Sequence, residues 1–115
     1  PANVSPREYE AYCAKFLEAN GWSARLTAAT GDQGVDIVAT LGDVVVAIQC
    51  KLYSSNVGNS SVQEVVAGRA FVGAHYAVVV SNQEFTVGAR QLAQANNVML
   101  LHHSELAALS EKLSA

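Results

Sequence analysis

The spacing of apolar residues along the chain predicts four helices and five strands. The first helix should cover about residues 6–19, because Ser5 is a suitable N-cap, Glu8 completes a capping box and Asn20-Gly21 supplies a stop. Apolar residues at helical spacing are expected to form its buried stripe, which consists of Tyr9, Tyr12, Cys13, Phe16 and Leu17.

Two apolar segments on either side of Gly42-Asp43 predict a β-hairpin. Its strands should cover residues 35–41 and 44–51, after a short strand at about 22–27. A glycine followed by a polar residue suits a two-residue type II′ turn. Residues that face each other across such a turn have numbers that sum to 85, as 42 and 43 do, and this rule predicts the register.

The second half of the chain alternates helices and strands. A capping box at Ser61 and Glu64 predicts a helix over about 61–72, which is followed by a strand at about 75–80. Further elements are a helix capped by Thr86 and ending near residue 95, a strand at about 98–101, and a final helix capped by Ser104 and carrying Leu106, Leu109 and Leu113. The order α-β-β-β-α-β-α-β-α predicts an α/β fold with a central mixed sheet flanked by helices.

Composition and charge limit the classes of function. The 115 residues are expected to form one domain, 1–115, because half of them are hydrophobic and 15% are charged. The net charge of −3 argues against a protein whose main task is gripping phosphates, since such proteins are usually basic. Acidic residues that hold a metal ion would account for part of the negative sum.

The lengths of the apolar runs and the spacing of the cysteines limit the cellular settings to be considered. The longest apolar runs are far shorter than the about 20 residues needed to cross a bilayer, so we expect no membrane span. Cys13 and Cys50 have neither the spacing of a disulfide framework nor that of a zinc site, which favours the cytoplasm. Pro1 is interpreted either as the residue after a removed initiator Met or as the start of a domain within a longer parent chain.

Polar residues at the open end of the hairpin carry the candidate chemistry. The register places Asp36 opposite Gln49, at a Cβ separation of about 4.5–5.5 Å, with Lys51 diagonal to Asp36. The Asp36 carboxylate, the Gln49 side-chain carbonyl and the Cys50 backbone carbonyl are oxygen ligands that suit Mg²⁺. Lys51 is then expected to orient or help deprotonate an attacking water and to offset charge on a phosphate.

These residues resemble the Mrr-like restriction endonuclease family of the PD-(D/E)xK nuclease superfamily. The motifs that carry the resemblance are Tyr9-Glu10, Gly31-Asp32-Gln33-Gly34-Val35-Asp36, Gln49-Cys50-Lys51, Val62-Gln63-Glu64, the strand from Tyr76 to Ser81, and Leu92-Ala93. The resemblance covers nearly the whole chain and implies a restriction-endonuclease-like fold. It also implies Mg²⁺-dependent, type II restriction-like hydrolysis of DNA phosphodiesters, with Mn²⁺ as a substitute metal.

The resemblance also assigns roles to individual residues. Asp36 and Gln49 would place the metal, Lys51 would assist the water, and Glu10 would add a helix-borne acid, either directly or through water. Gln63 matches a family position at which we expect support of the site or a contact to substrate. Most of the superfamily has an acid where this chain has Gln49, so metal binding is expected to be weaker at that position.

Structural roles compete with each of these interpretations. Asp36 alone would suit a solvated strand and Lys51 an edge-strand gatekeeper, so the inference depends on their combination with Gln49. Asp32 is interpreted mainly as a turn residue. Cys50 is expected to be a core residue, and no role is assigned to His75, His102 and His103, which lack metal-ligand spacing.

Two other functions remain open at this point. A structure-selective nuclease such as a Holliday-junction resolvase shares the superfamily fold and would prefer branched DNA. A catalytically inactive domain that only binds nucleic acid or another protein would account for the negative charge and for Gln49. Because the chain has no evident room for a module that reads base sequence, we expect a homodimer or an additional DNA-recognition domain in a longer parent chain.

Overall fold

The computed structural model describes residues 4–27 and 34–114 and contains one five-stranded mixed sheet. The strands lie in the order β1-β2-β3-β4-β5; β1 to β3 pair antiparallel, whereas β3 to β5 pair parallel. The elements are α1 (Pro6–Ala19), β1 (Ser23–Leu26), β2 (Ile37–Leu41), β3 (Val44–Lys51), α2 (Asn59–Val72), β4 (Tyr76–Ser81), α3 (Val87–Ala95), β5 (Val98–His102), a 3-10 helix (His103–Ala108) and α4 (Leu109–Ser114). The predicted α/β class is confirmed, and the order of elements broadly matches the prediction.

The hairpin between β2 and β3 has the predicted turn and register. Ile37 pairs with Ile48 and Leu41 pairs with Val44, so each pair sums to 85. Gly42 has a φ of 60°, and Asp43 is not among the described residues with positive φ, as a type II′ turn requires. The register therefore follows from the two turn residues and from the alternation beside them.

Helices cover both faces of the sheet. One face packs against α1, the 3-10 helix and the start of α4, and its core includes Leu17, Ile48 and Leu106. The other face packs against α2 and α3. Because successive residues of a strand point to opposite faces, Val78 and Val79 of β4 belong to different cores, and both are fully buried. No helix in the described ranges is long and apolar enough to cross a membrane.

The predicted capping box at Ser61 is wrong, because α2 begins two residues earlier, at Asn59. Gly58 is the N-cap and provides no side-chain hydrogen bond, while the Ser61 hydroxyl lies within the first turn and donates to the Gly58 carbonyl at 2.9 Å. Glu64 is therefore not the acid of a capping box. Its side chain is available for contacts outside the helix.

Two other local predictions are also wrong. His102, not Ser104, caps the C-terminal helical segment: its Nδ1 accepts from the Ser104 amide, and Glu105 completes a capping box. The segment opens as a 3-10 helix directly after β5, which continues to His102, one residue beyond its predicted end. Tyr12 was expected in the buried stripe of α1 but is 47% exposed, since it lies at the edge of that stripe beside His103.

Candidate active site

A cleft of about 440 Å³ lies at the carboxyl end of β3, between α1 and α2. Five of the sequence-predicted site residues line it, together with one acid that the sequence analysis did not assign to the site. The described residues that line the cleft are Glu10, Gly34, Asp36, Gln49, Cys50, Lys51, Glu64 and Ala67. The fold thus brings residues from α1, the hairpin and α2 to one place.

Asp36 lies directly before β2, and its side chain is held by the neighbouring strand. Its Oδ2 accepts a hydrogen bond from the Cys50 amide at 2.8 Å. Its own amide donates to the Ile48 carbonyl at 2.8 Å, so at this position the backbone departs from the predicted pairing with Gln49. The two side chains nevertheless line the same cleft.

Gln49 is buried at the base of the cleft, with 4% of its surface exposed. Its Nε2 donates to Glu64 Oε1 at 2.8 Å. Its Oε1 is buried and has no hydrogen-bond partner among the described residues. A buried oxygen without a partner costs about 1–3 kcal/mol, so this atom fits a ligand that accepts lone-pair density, such as a cation.

Lys51 forms an ion pair with Glu64 across the cleft. Its Nζ lies 3.1 Å from Glu64 Oε1 and 5.7 Å from the centre of the Tyr53 ring. Burial lowers the pKa of Lys51, but the hydrogen bond and charge of Glu64, aided by Tyr53 and Asp36, outweigh it and leave that pKa above its ordinary value. Lys51 is therefore protonated at neutral pH.

Glu64 is the site residue that the sequence analysis missed. One of its oxygens accepts from both Gln49 and Lys51. The only signal for it in the sequence was its place in the Val62-Gln63-Glu64 motif, where the apparent capping box offered a local explanation.

Glu10 reaches the cleft from α1 and pairs with Arg7. Its Oε1 lies 2.7 Å from Arg7 Nη1, and the Glu10 side chain is only 14% exposed. The second guanidinium nitrogen of Arg7 donates to the Thr27 carbonyl at 2.9 Å, which ties α1 to the chain beyond β1. This helix acid thus lies at the wall of the cleft, with its charge already partly offset.

Cys50 packs against the core on the α1 side, as expected. A hydrogen bond with Cys13 and burial raise the pKa of the Cys50 thiol, and the charges of Asp36 and Glu10 add to the effect. This thiol is therefore not a nucleophile at neutral pH. The use of the Cys50 backbone carbonyl as a metal ligand stays a prediction.

The described residues around the cleft offer oxygen atoms as possible metal ligands, but their acidic side chains do not form a close group. In residues 4–27 and 34–114, no group of three or more His, Cys, Asp or Glu side chains could hold a metal ion. An ion bound here would therefore need the amide of Gln49 or backbone carbonyls beside the Asp36 carboxylate. The unpartnered Gln49 oxygen is consistent with that requirement.

Several residues considered from sequence lie elsewhere. Gln63 is exposed on α2 and is not among the described residues lining the cleft, so its contact to substrate stays a prediction. Asp32 lies outside the described residues. The histidines make structural contacts: His75 Nδ1 accepts from the Val45 amide at 3.0 Å, and His103 Nδ1 pairs with the Tyr9 hydroxyl at 2.9 Å.

Comparison with protein families decides the class of domain. A family model described as restriction endonuclease, the Mrr catalytic domain, matches residues 1–110. The chain belongs to this restriction endonuclease family. It is thus a nuclease domain of the restriction-endonuclease type, as the resemblance in the sequence implied. No curated protein sequence matches the chain.

Several solved structures have a fold similar to that of this restriction endonuclease domain. A protein of unknown function, AF1548, gives a TM-score of 0.75 at 18% identity, with 94% of this chain and 67% of that chain covered. The Holliday junction resolvase Hjc of Archaeoglobus fulgidus gives 0.55 at 23% identity, with 68% and 64% covered. The DNA modification-dependent restriction endonuclease AspBHI gives 0.60 at 20% identity, with 93% and 31% covered.

The MspJI restriction endonuclease, solved with a 27-mer oligonucleotide, gives a TM-score of 0.52 at 24% identity. It covers 89% of this chain, which spans only 26% of the MspJI chain. All four neighbours are under 25% identical, so the likeness establishes the restriction-endonuclease-like fold and nothing finer. The domain is about a quarter to a third as long as the two restriction endonucleases it resembles.

Proposed function

We propose that this domain hydrolyses DNA phosphodiester bonds with the help of Mg²⁺, for which Mn²⁺ can substitute. The observation that carries the proposal is the buried Gln49 oxygen, which lacks a partner among the described residues and belongs to a side chain that lines the same cleft as Asp36 and Lys51. Placing three polar groups at the end of an apolar hairpin is costly for stability, and a substrate–metal complex would account for it.

The ligands we propose are the Asp36 carboxylate, the Gln49 amide oxygen and the Cys50 backbone carbonyl, with Glu10 acting directly or through water. Hard oxygens of this kind suit Mg²⁺, which keeps several waters and substrate phosphate in its shell. When bound, the cation would supply a Lewis acid for the phosphate and favour ionisation of the attacking water. Glu10 would compensate in part for the neutral charge of Gln49.

Lys51 has the role of a charged donor in this mechanism. Because its pKa is raised, its ammonium group is not available to accept a proton from water at neutral pH. It would instead donate a hydrogen bond to the attacking water or to a phosphate oxygen and offset the negative charge that develops there. We therefore propose the orienting role for Lys51 rather than the deprotonating one, so long as Glu64 remains paired with it.

The proposal includes partners that position the cut. The domain has the fold of a part of much longer restriction endonucleases, so we infer a DNA-recognition domain in a longer parent chain, or a homodimer. Gln63, exposed on α2, is retained as a candidate DNA contact. The two free cysteines agree with a cytoplasmic restriction system, where thiols stay reduced.

The test uses purified protein with supercoiled plasmid, linear duplex and a four-way junction, each with Mg²⁺, Mn²⁺ or a chelator. Lys51→Met is compared with Lys112→Met, a matched change at an ion pair that does not line the cleft. We expect metal-dependent nicking by the wild type and by Lys112→Met, and a loss of about 100-fold or more in Lys51→Met. Equal nicking by both variants would refute the assignment of Lys51.

The substrates separate the alternative functions. Cleavage confined to the four-way junction would identify a junction resolvase. DNA binding without cleavage, in the isolated domain and in any longer parent chain, would identify a domain that has lost its activity and contradict the proposal.

A further inference from the structure

Glu64 makes a pair of contacts that its place on a helix surface does not require. A single oxygen of this acid accepts from Gln49 Nε2 at 2.8 Å and from Lys51 Nζ at 3.1 Å. A glutamine amide has one donor end and one acceptor end. Once the donor end is engaged by Glu64, the acceptor end must take the other direction, and that end is the buried Oε1 without a partner among the described residues.

The backbone around Glu64 holds this contact in place. Val62 and Val65 on the same helix are fully buried in the core beneath α2. Gly34, in the segment that leads to Asp36, approaches so closely that a Cβ built on it would lie 2.3 Å from the Glu64 carbonyl oxygen. The helix, the segment before Asp36 and the end of β3 therefore form one packed unit around the cleft.

We propose that Glu64 is a positioning residue that makes a neutral glutamine work as a metal ligand. By accepting from Gln49 Nε2, it keeps the amide oxygen directed at the metal position, and through the same oxygen it holds Lys51 beside that position. The acid and amide act as a matched pair: the amide on β3 contributes the ligand and the acid on α2 contributes its orientation. This inference rests on the proposed function.

The pairing of Gln49 with Glu64 predicts an unusual effect of Gln49→Glu on metal binding. Most of the superfamily has an acid at the position of Gln49, so Gln49→Glu alone would be expected to strengthen metal binding. In this chain it removes the donor and places a second carboxylate against Glu64, at the distance of a hydrogen bond. We therefore expect Gln49→Glu to weaken Mn²⁺ binding.

The exchange of both residues should restore the site. In the variant that combines Gln49→Glu with Glu64→Gln, the amide at 64 can donate to the acid at 49, so the hydrogen bond reverses and the total charge is unchanged. We expect its Mn²⁺ affinity to equal or exceed that of the wild type. Glu64→Ala, which leaves the Gln49 amide unheld, should lower Mn²⁺ affinity by about 10- to 100-fold.

The experiment measures Mn²⁺ binding by calorimetry and nicking rates against Mn²⁺ concentration for the wild type, both single changes, Glu64→Ala and the exchange. Thermal unfolding without metal establishes that each variant folds. Glu84→Gln serves as the matched control, because Glu84 is a highly exposed acid paired with Arg90 outside the cleft. The control should bind and cut like the wild type.

The outcomes separate the two claims. If the wild type binds Mn²⁺ and cuts, and Glu64→Ala matches it or the exchange is no better than Gln49→Glu, the role of Glu64 is refuted while the proposed function stands. If the wild type neither binds Mn²⁺ nor cuts, the proposed function fails and the inference fails with it. Rescue by the exchange supports both, because loss of fold alone would not reverse in this way.

Discussion

Substitution of Gly34 by alanine should destabilise the domain through two separate effects. Gly34 has a φ of 82°, a left-handed conformation that costs an L residue about 1–2 kcal/mol. The added Cβ would also lie 2.3 Å from the Glu64 carbonyl oxygen, a backbone atom that cannot rotate away. Overpacking of this kind costs about 1–3 kcal/mol, so the total is about 2–5 kcal/mol.

Gly42→Ala is the matched control for this change. Gly42 also has a positive φ, of 60°, but nothing lies within 4 Å of a Cβ built on it. Its cost should therefore be the backbone effect alone, about 1–2 kcal/mol. The difference between the two variants isolates the close approach of the Asp36 segment to α2.

Urea and thermal unfolding of both variants measure the difference. For a domain of this size, about 2–5 kcal/mol corresponds to a fall in Tm of roughly 8–20 °C for Gly34→Ala. At a temperature at which both variants are folded, Gly34→Ala should also nick DNA more slowly, because the Glu64 backbone or the segment before Asp36 must shift. Equal stability of the two variants would refute the packing on which the account of the site depends.

Three further predictions concern charge and metal. The pKa of Lys51 is raised, so its ion pair adds stability that is fully present below pH 10.5, the ordinary pKa of lysine. This stability is lost as the pH rises through the pKa of Lys51 in the folded protein. Lys51→Met should therefore flatten the alkaline part of the stability curve measured by urea unfolding. Burial, and then the charge of His102, lower the pKa of His103. Stability that is present above pH 6.5, the ordinary pKa of histidine, should therefore fall as the pH drops through the pKa of His103 in the folded protein. His103→Gln should reduce this acid sensitivity in the same assay. Mg²⁺ at 100 times its dissociation constant should stabilise the wild type by about 2.7 kcal/mol in thermal unfolding but should not stabilise Asp36→Ala; an equal rise in both would place the metal elsewhere.

The hairpin was the most predictable part of the fold. Its register depends on Gly42 and Asp43 and on alternation in the adjacent strands, all within a short stretch of chain. Four of the proposed site residues lie on or beside this hairpin, so sequence reasoning placed Asp36, Gln49, Cys50 and Lys51 together. The departure from this register at Asp36 could not be predicted. Asp36 lies just before the first residue of β2, and its amide donates to the Ile48 carbonyl instead of following the pairing rule.

Glu64 shows where sequence reasoning stops. A serine three residues before a glutamate is a local capping signal, and it favoured a role at the end of a helix. The actual contacts of Glu64 join residues 13 and 15 positions apart in sequence, and they depend on how α2 packs on the sheet. Such packing is set by the buried residues of two faces together, which no short motif specifies. Gln63, its neighbour in the same motif, is exposed and is not among the described residues that line the cleft.

The central claim is that the carboxylate held at the end of the hairpin carries a metal-dependent cleavage. The most direct measurement is the nicking rate of supercoiled plasmid in Mg²⁺ for the wild type, Asp36→Asn and Asp43→Asn. Asp43 lies in the hairpin turn, outside the cleft, so it provides the same chemical change without touching the site. We expect Asp43→Asn to nick at the wild-type rate and Asp36→Asn to lose nicking by about 100-fold or more. Metal-dependent nicking by Asp36→Asn at the rate of the other two proteins would contradict the account.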